Sequence, residues 1–195
     1  MQFRLDIIEP TPPGWIEAVK ADFNSFLQDH ANCERKVSSM ALSFVAKYPD
    51  RTEIINGLIE TGIEELEHFR DVYKVMEARG IQLVHEIEKD VYMEQLLAAC
   101  RNGRDERFID RLVIASIVEC RGAERFKIVY ENIHDDISLK EFYHRLWASE
   151  AKHSEVYIQL ALKYFDAASV YKRVQELNEI ESKIMLNLPF RAALH

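Results

Sequence analysis

Apolar residues recur along most of this chain at the three- to four-residue spacing of an amphipathic helix. No segment keeps the strict alternation that is typical of a half-buried strand. Turn-forming residues interrupt the pattern at Pro49-Asp50, Gly80, Asn102-Gly103 and Asp135-Asp136. The pattern therefore predicts an all-α protein with helices at 14–48, 51–79, 91–101, 105–131, 138–165 and 169–186.

The chain is long enough for one substantial core, since 48% of its 195 residues are apolar. No linker rich in Ser, Gly or Pro divides it. We therefore expect a single domain over 1–195, with a core helix bundle at about 14–165 and a C-terminal helix at about 169–186.

The sequence also indicates the cellular compartment. No apolar run approaches the roughly 20 residues that span a bilayer, and the first residues do not have the pattern of a signal peptide. The three cysteines form no Cys-x-x-Cys pair, which argues against a cysteine zinc site or a disulfide framework. We expect a cytoplasmic protein that does not bind membranes.

One constellation of ionisable residues occurs twice. Glu34 precedes Glu65 of a Glu-x-x-His motif by 31 residues, and Glu119 precedes Glu150 of another by 31 residues. If each pair of helices is antiparallel about a turn near residue 50 or 135, the paired Glu residues lie at the same level. At a rise of about 1.5 Å per residue, that level is about 23 Å from each turn.

The Glu-x-x-His motif alone does not define a site, because it occurs four times. Two further copies begin at Glu131 and Glu141. On the predicted helix 138–165, Glu150 and His153 share the apolar face, whereas Glu141 and His144 point the opposite way. We therefore assign the last pair to the surface, while Glu131 lies at a helix end.

Six ionisable residues point into the predicted core: Glu34, Glu65, His68, Glu119, Glu150 and His153. Buried carboxylates are rare unless they are paired or bind a metal. Four Glu and two His on four helices match the ligand set of a di-iron or di-manganese site in a ferritin-like bundle. A buried polar network without metal is the alternative interpretation.

Other residues have supporting roles in this hypothesis. His30, Asp29 and Glu124 are candidates to orient the metal ligands. The chain has no Gly-rich phosphate loop, so we expect neither a bound nucleotide nor a flavin. Electrons for a redox reaction would then come from an external electron-transfer partner.

A net charge of -8 argues against nonspecific binding of nucleic acid. A local basic stripe nevertheless follows the predicted helix 105–131. Arg104, Arg107 and Arg111 lie at the start of the helix, Arg101 lies just before it and Arg125 lies further along it. The simpler interpretation is a solvated helix face that nearby acidic residues neutralise. The alternative is an arginine rim that holds an RNA backbone while one base enters a pocket.

Five segments carry a resemblance to a known family: DHANCERK at 29–36, YPD at 48–50, EELEHF at 64–69, VECRGAERF at 118–126 and SEAKH at 149–153. In these segments the chain resembles the tRNA-(2-methylthio-N6-isopentenyladenosine)-hydroxylase family, MiaE, of the ferritin-like di-iron superfamily. The resemblance places the family's ligands on the six core residues named above.

The resemblance implies a di-iron monooxygenase that uses O2 as co-substrate and hydroxylates the isopentenyl group of a hypermodified adenosine in tRNA. It implies two iron ions, and the carboxylate and imidazole donors leave manganese possible. We expect a monomer or dimer. Two other functions stay open at this point. One is a di-iron oxidase or hydroxylase of another substrate, and the other is a ferritin-like protein that oxidises and stores iron.

Overall fold

The computed structural model describes residues 5–85 and 89–195, and every regular element in these ranges is a helix. The described helices are α1 (Gly14–Ala21), α2 (Phe23–Lys47), α3 (Thr52–Ala78), α4 (Val91–Ala98), α5 (Arg104–Asn132), α6 (Ile137–Leu162) and α7 (Ala167–Asn187). The predicted all-α class is confirmed, and most helix ends lie within three residues of the predicted ones.

The predicted single helix 14–48 is wrong, because the helix is interrupted at Asp22. The backbone of Asp22 leaves the helical region at φ −144° and ψ 70°, and its carboxylate accepts a hydrogen bond from the Ser25 N–H at 3.1 Å. An Asp in this position caps the helix that follows it. The apolar periodicity continues across the break, so the pattern alone did not reveal that α1 and α2 are separate.

Packing divides the described chain into two compact units. The N-terminal unit comprises the described part of 13–89, with α1 to α3, and the segment Phe190–Leu194. The C-terminal unit comprises 5–12, Asp90–Pro189 with α4 to α7, and His195. The expectation of one domain over 1–195 stays a prediction.

In the N-terminal unit, α2 and α3 form an antiparallel hairpin. The Ser38 hydroxyl donates to the Gly62 carbonyl at 2.7 Å, and these two residues are equally far from residue 50. This contact confirms the predicted register about the first turn. Apolar side chains from both helices are fully buried in the hairpin, including Phe26, Leu58 and Met76.

In the C-terminal unit, α5 and α6 form the second hairpin. The Ser116 hydroxyl donates to the Ser154 carbonyl, and these residues are equally far from residue 135. The rings of Phe126 and Tyr143 lie 5.8 Å apart between the same helices. The second predicted register is therefore confirmed as well. Helix α7 packs against α5 and α4.

Among the described helices, none combines the length and the apolar character needed to cross a bilayer.

Gly80 ends α3 in a conformation that favours glycine. Its φ is +68°, and the Ile81 N–H returns to the Met76 carbonyl at 2.9 Å, as in a Schellman cap. A Cβ atom on Gly80 would meet nothing within 4 Å, so the cost of Gly80→Ala comes from the backbone alone. We expect this substitution to lower the free energy of unfolding by about 1 kcal/mol, measured by urea titration.

Gly122 offers the matched control, because it lies inside α5 and a Cβ atom there also meets nothing within 4 Å. Gly122→Ala should leave stability unchanged or raise it by up to about 1 kcal/mol, since Ala is the better helix former. Equal destabilisation by the two substitutions would contradict the assigned role of Gly80.

Candidate metal centre

The N-terminal unit places two His and two Glu side chains on the facing sides of its hairpin. Helix α2 supplies His30 and Glu34, which are 0% and 4% exposed, and α3 supplies Glu65, which is 1% exposed. His68, one turn after Glu65, has a side chain that is 14% exposed. Glu65 and His68 are candidate metal ligands by the chemistry and burial of their side chains.

Glu34 lies between the imidazoles of His30 and His68. His30 donates from Nε2 to Glu34 Oε1 at 2.7 Å, while His68 Nδ1 lies 3.9 Å from Glu34 Oε2. His68 Nδ1 also lies 3.4 Å from Glu65 Oε2. His30 therefore holds one oxygen of Glu34 and leaves the other turned toward His68, which is the arrangement expected of a residue that orients a ligand.

The C-terminal unit repeats the same set of side chains. Glu119 of α5 is 6% exposed, and Glu150 and His153 of α6 are 2% and 4% exposed. His153 Nδ1 lies 3.0 Å from Glu150 Oε2. Each hairpin thus places one Glu on its first helix and a Glu-x-x-His pair on its second, and all of these side chains are buried except the half-buried His68.

This donor set fits iron or manganese. Carboxylate and imidazole are the ligands these ions share, whereas a thiolate-preferring metal would require cysteine. The burial of four carboxylates is costly unless positive charge balances them. The residues present in each hairpin are therefore suited to hold such an ion. Their role as ligands stays a prediction.

Glu141 and His144 lie on the surface, as predicted, and the pair at the end of α5 is exposed as well. Glu131, His134, Glu141 and His144 are all exposed. On α6, helical face therefore separates the Glu150 motif from the Glu141 motif, which spacing alone did not.

The other predicted orienting residues have different neighbours. Asp29 accepts a hydrogen bond from the Leu194 N–H at 2.7 Å, so it holds the segment Phe190–Leu194 against α2. Glu124 lies five residues after Glu119, about 140° around the helix. It accepts from the Thr11 N–H at 2.8 Å and from Arg121 at 2.6 Å. The structure thus places Glu124 in a separate polar cluster.

That cluster, which we call the Arg121 cluster, consists of Thr11, Tyr92, Arg121, Glu124 and Glu181. Arg121 forms two hydrogen bonds to Glu181, at 2.8 and 3.0 Å, and both side chains are fully buried. Tyr92 donates to the same carboxylate at 3.0 Å. Burial alone would lower the pKa of Arg121, but the hydrogen bonds and charge of Glu181 raise it above its ordinary value. Arg121 is therefore a buried cation.

The predicted basic stripe separates into two parts. Arg101, Arg104 and Arg107 are exposed and Arg111 is half-buried, whereas Arg125 is only 7% exposed. Burial, together with the charge of Arg121, lowers the pKa of Arg125 to about 10. Arg125 thus lies against the Arg121 cluster and does not belong to an exposed rim.

Arg101, at the exposed end of the stripe, forms an ion pair within the protein. Its guanidinium lies 2.7 Å from Asp110 Oδ1, and Arg173 binds the same carboxylate at 2.7 Å. These hydrogen bonds hold the pKa of Asp110 below its usual value against the effect of burial. Binding of RNA by the arginines at the start of α5 stays a prediction.

Sequence reasoning missed the Arg121 cluster, because Glu181 lies 60 residues from Arg121. The only local signal was the Arg121 and Glu124 pair at a helical spacing of three. It also missed an aromatic cluster around Trp147, whose members are distributed over two helices.

Two known proteins are similar to this chain in sequence over most of its length. The chain is 36% identical over 176 residues to the tRNA 2-(methylsulfanyl)-N(6)-isopentenyladenosine(37) hydroxylase of Pseudomonas putida, covering 90% of this chain and 84% of that protein. It is 27% identical over 227 residues to the Salmonella typhimurium protein of the same name, covering 91% and 83%.

A solved structure is also similar. "Protein 43 with aldehyde deformylating oxygenase activity from Synechococcus" matches with a TM-score of 0.90 and 29% identity, over 97% of this chain and 94% of that one. The predicted ferritin-like fold class is thereby confirmed. The family model described as tRNA-(MS[2]IO[6]A)-hydroxylase (MiaE) matches residues 4–195. With the donor set of both hairpins, these matches establish that the chain belongs to the MiaE family.

Proposed function

We propose that this protein is an O2-dependent di-iron monooxygenase that hydroxylates the isopentenyl group of a hypermodified adenosine in tRNA. The observation that carries the proposal is the duplicated, buried Glu and His set in a chain of the MiaE family. The names of the two hydroxylase relatives support the substrate.

We propose Glu34, Glu65, His68, Glu119, Glu150 and His153 as the metal ligands of this protein. Four carboxylates carry a formal charge that two divalent cations would balance, and two imidazoles complete the donor set. When bound, two iron ions would supply the activation of O2 and the transfer of one oxygen atom to the substrate.

The protein's own residues have two further tasks in this proposal. His30 positions Glu34 through the 2.7 Å hydrogen bond. Ala115 and Phe126, each 1% exposed, lie one and two turns from Glu119 near its face of α5, where they exclude water from the carboxylate. An external electron-transfer partner would supply the reducing electrons. A cytoplasmic monomer or dimer would suit a tRNA substrate.

Nucleoside mass spectrometry of tRNA tests the function directly. In cells that lack this gene, we expect the hydroxylated isopentenyl nucleoside to disappear and its unhydroxylated precursor to accumulate. The wild-type gene should restore hydroxylation, and a Glu150→Gln gene should not. An unchanged nucleoside profile in the deletion strain would disprove the tRNA assignment.

The Synechococcus structure favours a second candidate, an oxygenase acting on an aldehyde. Incubation of the iron-loaded protein with an aliphatic aldehyde, O2 and a reducing system distinguishes the two. Aldehyde turnover together with an unchanged tRNA profile would favour this second candidate. An absence of aldehyde turnover together with loss of the hydroxylated nucleoside would support the tRNA hydroxylase.

A further inference from the structure

A cluster of aromatic and cationic side chains lies on the α5–α6 hairpin, between its turn and the level of Glu150. The rings of Tyr130 and Trp147 are stacked, with centroids 6.1 Å apart and planes at 21°. The His144 ring lies 4.9 Å from Tyr130 and 5.7 Å from Trp147. Together with Lys127 and Lys140, these residues form what we call the Trp147 cluster.

Two lysines lie over ring faces of this cluster. Lys127 Nζ is 5.3 Å from the centroid of Trp147, and Lys140 Nζ is 5.3 Å from that of Tyr130. Both distances are within the range of cation–π attraction. Lys127 also lies 3.9 Å from Glu131, a long contact between exposed groups that contributes little.

The Trp147 cluster is accessible to solvent. Lys127 and His144 are exposed, while Tyr130, Lys140 and Trp147 are half-buried. The other tryptophan of the chain, Trp15, is buried. It is 2% exposed and donates from Nε1 to the Ala193 carbonyl. Trp147 therefore combines a large, partly open ring system with adjacent positive charge.

We propose that the Trp147 cluster is a binding platform for an unpaired base of the tRNA substrate, an inference that rests on the proposed function. Aromatic rings next to cations are the combination that binds single-stranded nucleic acid, because bases stack on the rings and phosphates attract the cations. A hydrophobic protein partner would be poorly matched by two lysines over the ring faces.

The position of the cluster suits this role. Trp147 precedes Glu150 by three residues on α6, which is about 4.5 Å along the helix axis and about 60° around it. Trp147 therefore lies within one helical turn of the buried carboxylate. The platform would hold a base near the modified adenosine and fix the register of the loop.

Tryptophan fluorescence reports on this stacking. In a Trp15→Phe variant, the remaining tryptophan is Trp147, and we expect an unmodified anticodon stem-loop RNA to quench its emission. In a Trp147→Phe variant, the emission of Trp15 should stay unchanged when the RNA is added. Failure of the stem-loop to quench Trp147 would overturn the proposal.

Binding and kinetics provide a second readout. Trp147→Ala should raise the Kd for the stem-loop about tenfold, the effect of losing one base stack, while Trp147→Phe retains most of the affinity. With modified tRNA, Trp147→Ala should raise KM and leave kcat nearly unchanged. Circular dichroism and iron content, both expected to match the wild type, check that the variant is folded.

Lys127 has a matched control in Lys172, because each is an exposed lysine with a Glu four residues later, at 3.9 and 4.0 Å. Lys127→Ala should weaken RNA binding and reduce the slope of log K against log salt by about one. Lys172→Ala should change neither quantity.

The outcomes separate this inference from the proposed function. Wild-type hydroxylation of tRNA with equal Kd and KM in the wild type and Trp147→Ala would overturn the platform and leave the function standing. Quenching of Trp147 by RNA without tRNA hydroxylation would support the platform and refute the function. Unchanged RNA binding with slower reduction of the iron in Trp147→Ala would assign the cluster to a protein partner and overturn the proposal.

Discussion

Replacing Glu150 with Gln should lower the iron content of the protein by more than about tenfold and abolish hydroxylation. Gln keeps the volume of the side chain but lacks the charge, and even residues that only orient metal ligands change affinity by about 10- to 100-fold. Glu150 is 2% exposed and lies beside His153, so water cannot replace it easily. Metal analysis of protein produced in iron-replete cells measures the effect.

Glu141 is the control for this experiment, because it begins another Glu-x-x-His motif on the same helix and is exposed. Glu141→Gln should leave iron content at the wild-type level. Equal loss of iron in the two variants would contradict the assignment of ligands by helical face.

Stability distinguishes loss of a ligand from misfolding. Without metal, the Glu150→Gln variant should be at least as stable as the wild type, because it no longer buries that charge. With iron, only the wild type should gain stability, since binding to the native state raises its free energy of unfolding. Thermal unfolding with and without iron measures both differences.

Replacing Arg121 with Met should lower the free energy of unfolding by about 3–5 kcal/mol. Arg121 and Glu181 are both fully buried, so removal of the arginine leaves a buried carboxylate without its main cation. For a chain of this length, the loss corresponds to a decrease in Tm of about 10 °C. Urea titration and thermal unfolding measure the change.

Two further variants show whether the charge pair is the cause. Combining Arg121→Met with Glu181→Leu should recover much of the loss, because apolar replacement of both partners removes the buried charge. Arg70→Met breaks an exposed pair with Glu67, at 3.4 Å and 60% and 56% exposure, and should cost less than about 1 kcal/mol. A double variant as unstable as Arg121→Met alone would contradict this explanation.

The hairpin registers were predictable from the sequence because their determinants are local. Hydrophobic periodicity identifies the helices, and a short connection makes neighbouring helices antiparallel. Contacts between Ser38 and Gly62 and between Ser116 and Ser154 confirm both registers. The break at Asp22 was missed, since the periodicity continues across it and only the backbone conformation of the cap separates α1 from α2.

The candidate site likewise has features that the sequence predicted and one that it did not. Helical face correctly predicted the burial of the carboxylates in each hairpin and the exposure of Glu141 and His144. The position of Arg125 was not predictable in this way. Its helical face is set by the sequence, but its hydrogen-bond partner Thr11 lies more than 100 residues earlier in the chain.

The sequence by itself determined which segments are helical, which turns pair them and which ionisable residues face each hairpin core, because helix period and turn chemistry act over a few residues. Only the tertiary structure decided which distant charges meet, as in the pairing of Arg121 with Glu181, and which aromatic rings share a surface, as at Trp147. Those contacts depend on how whole helices pack against one another. Local periodicity does not encode that packing.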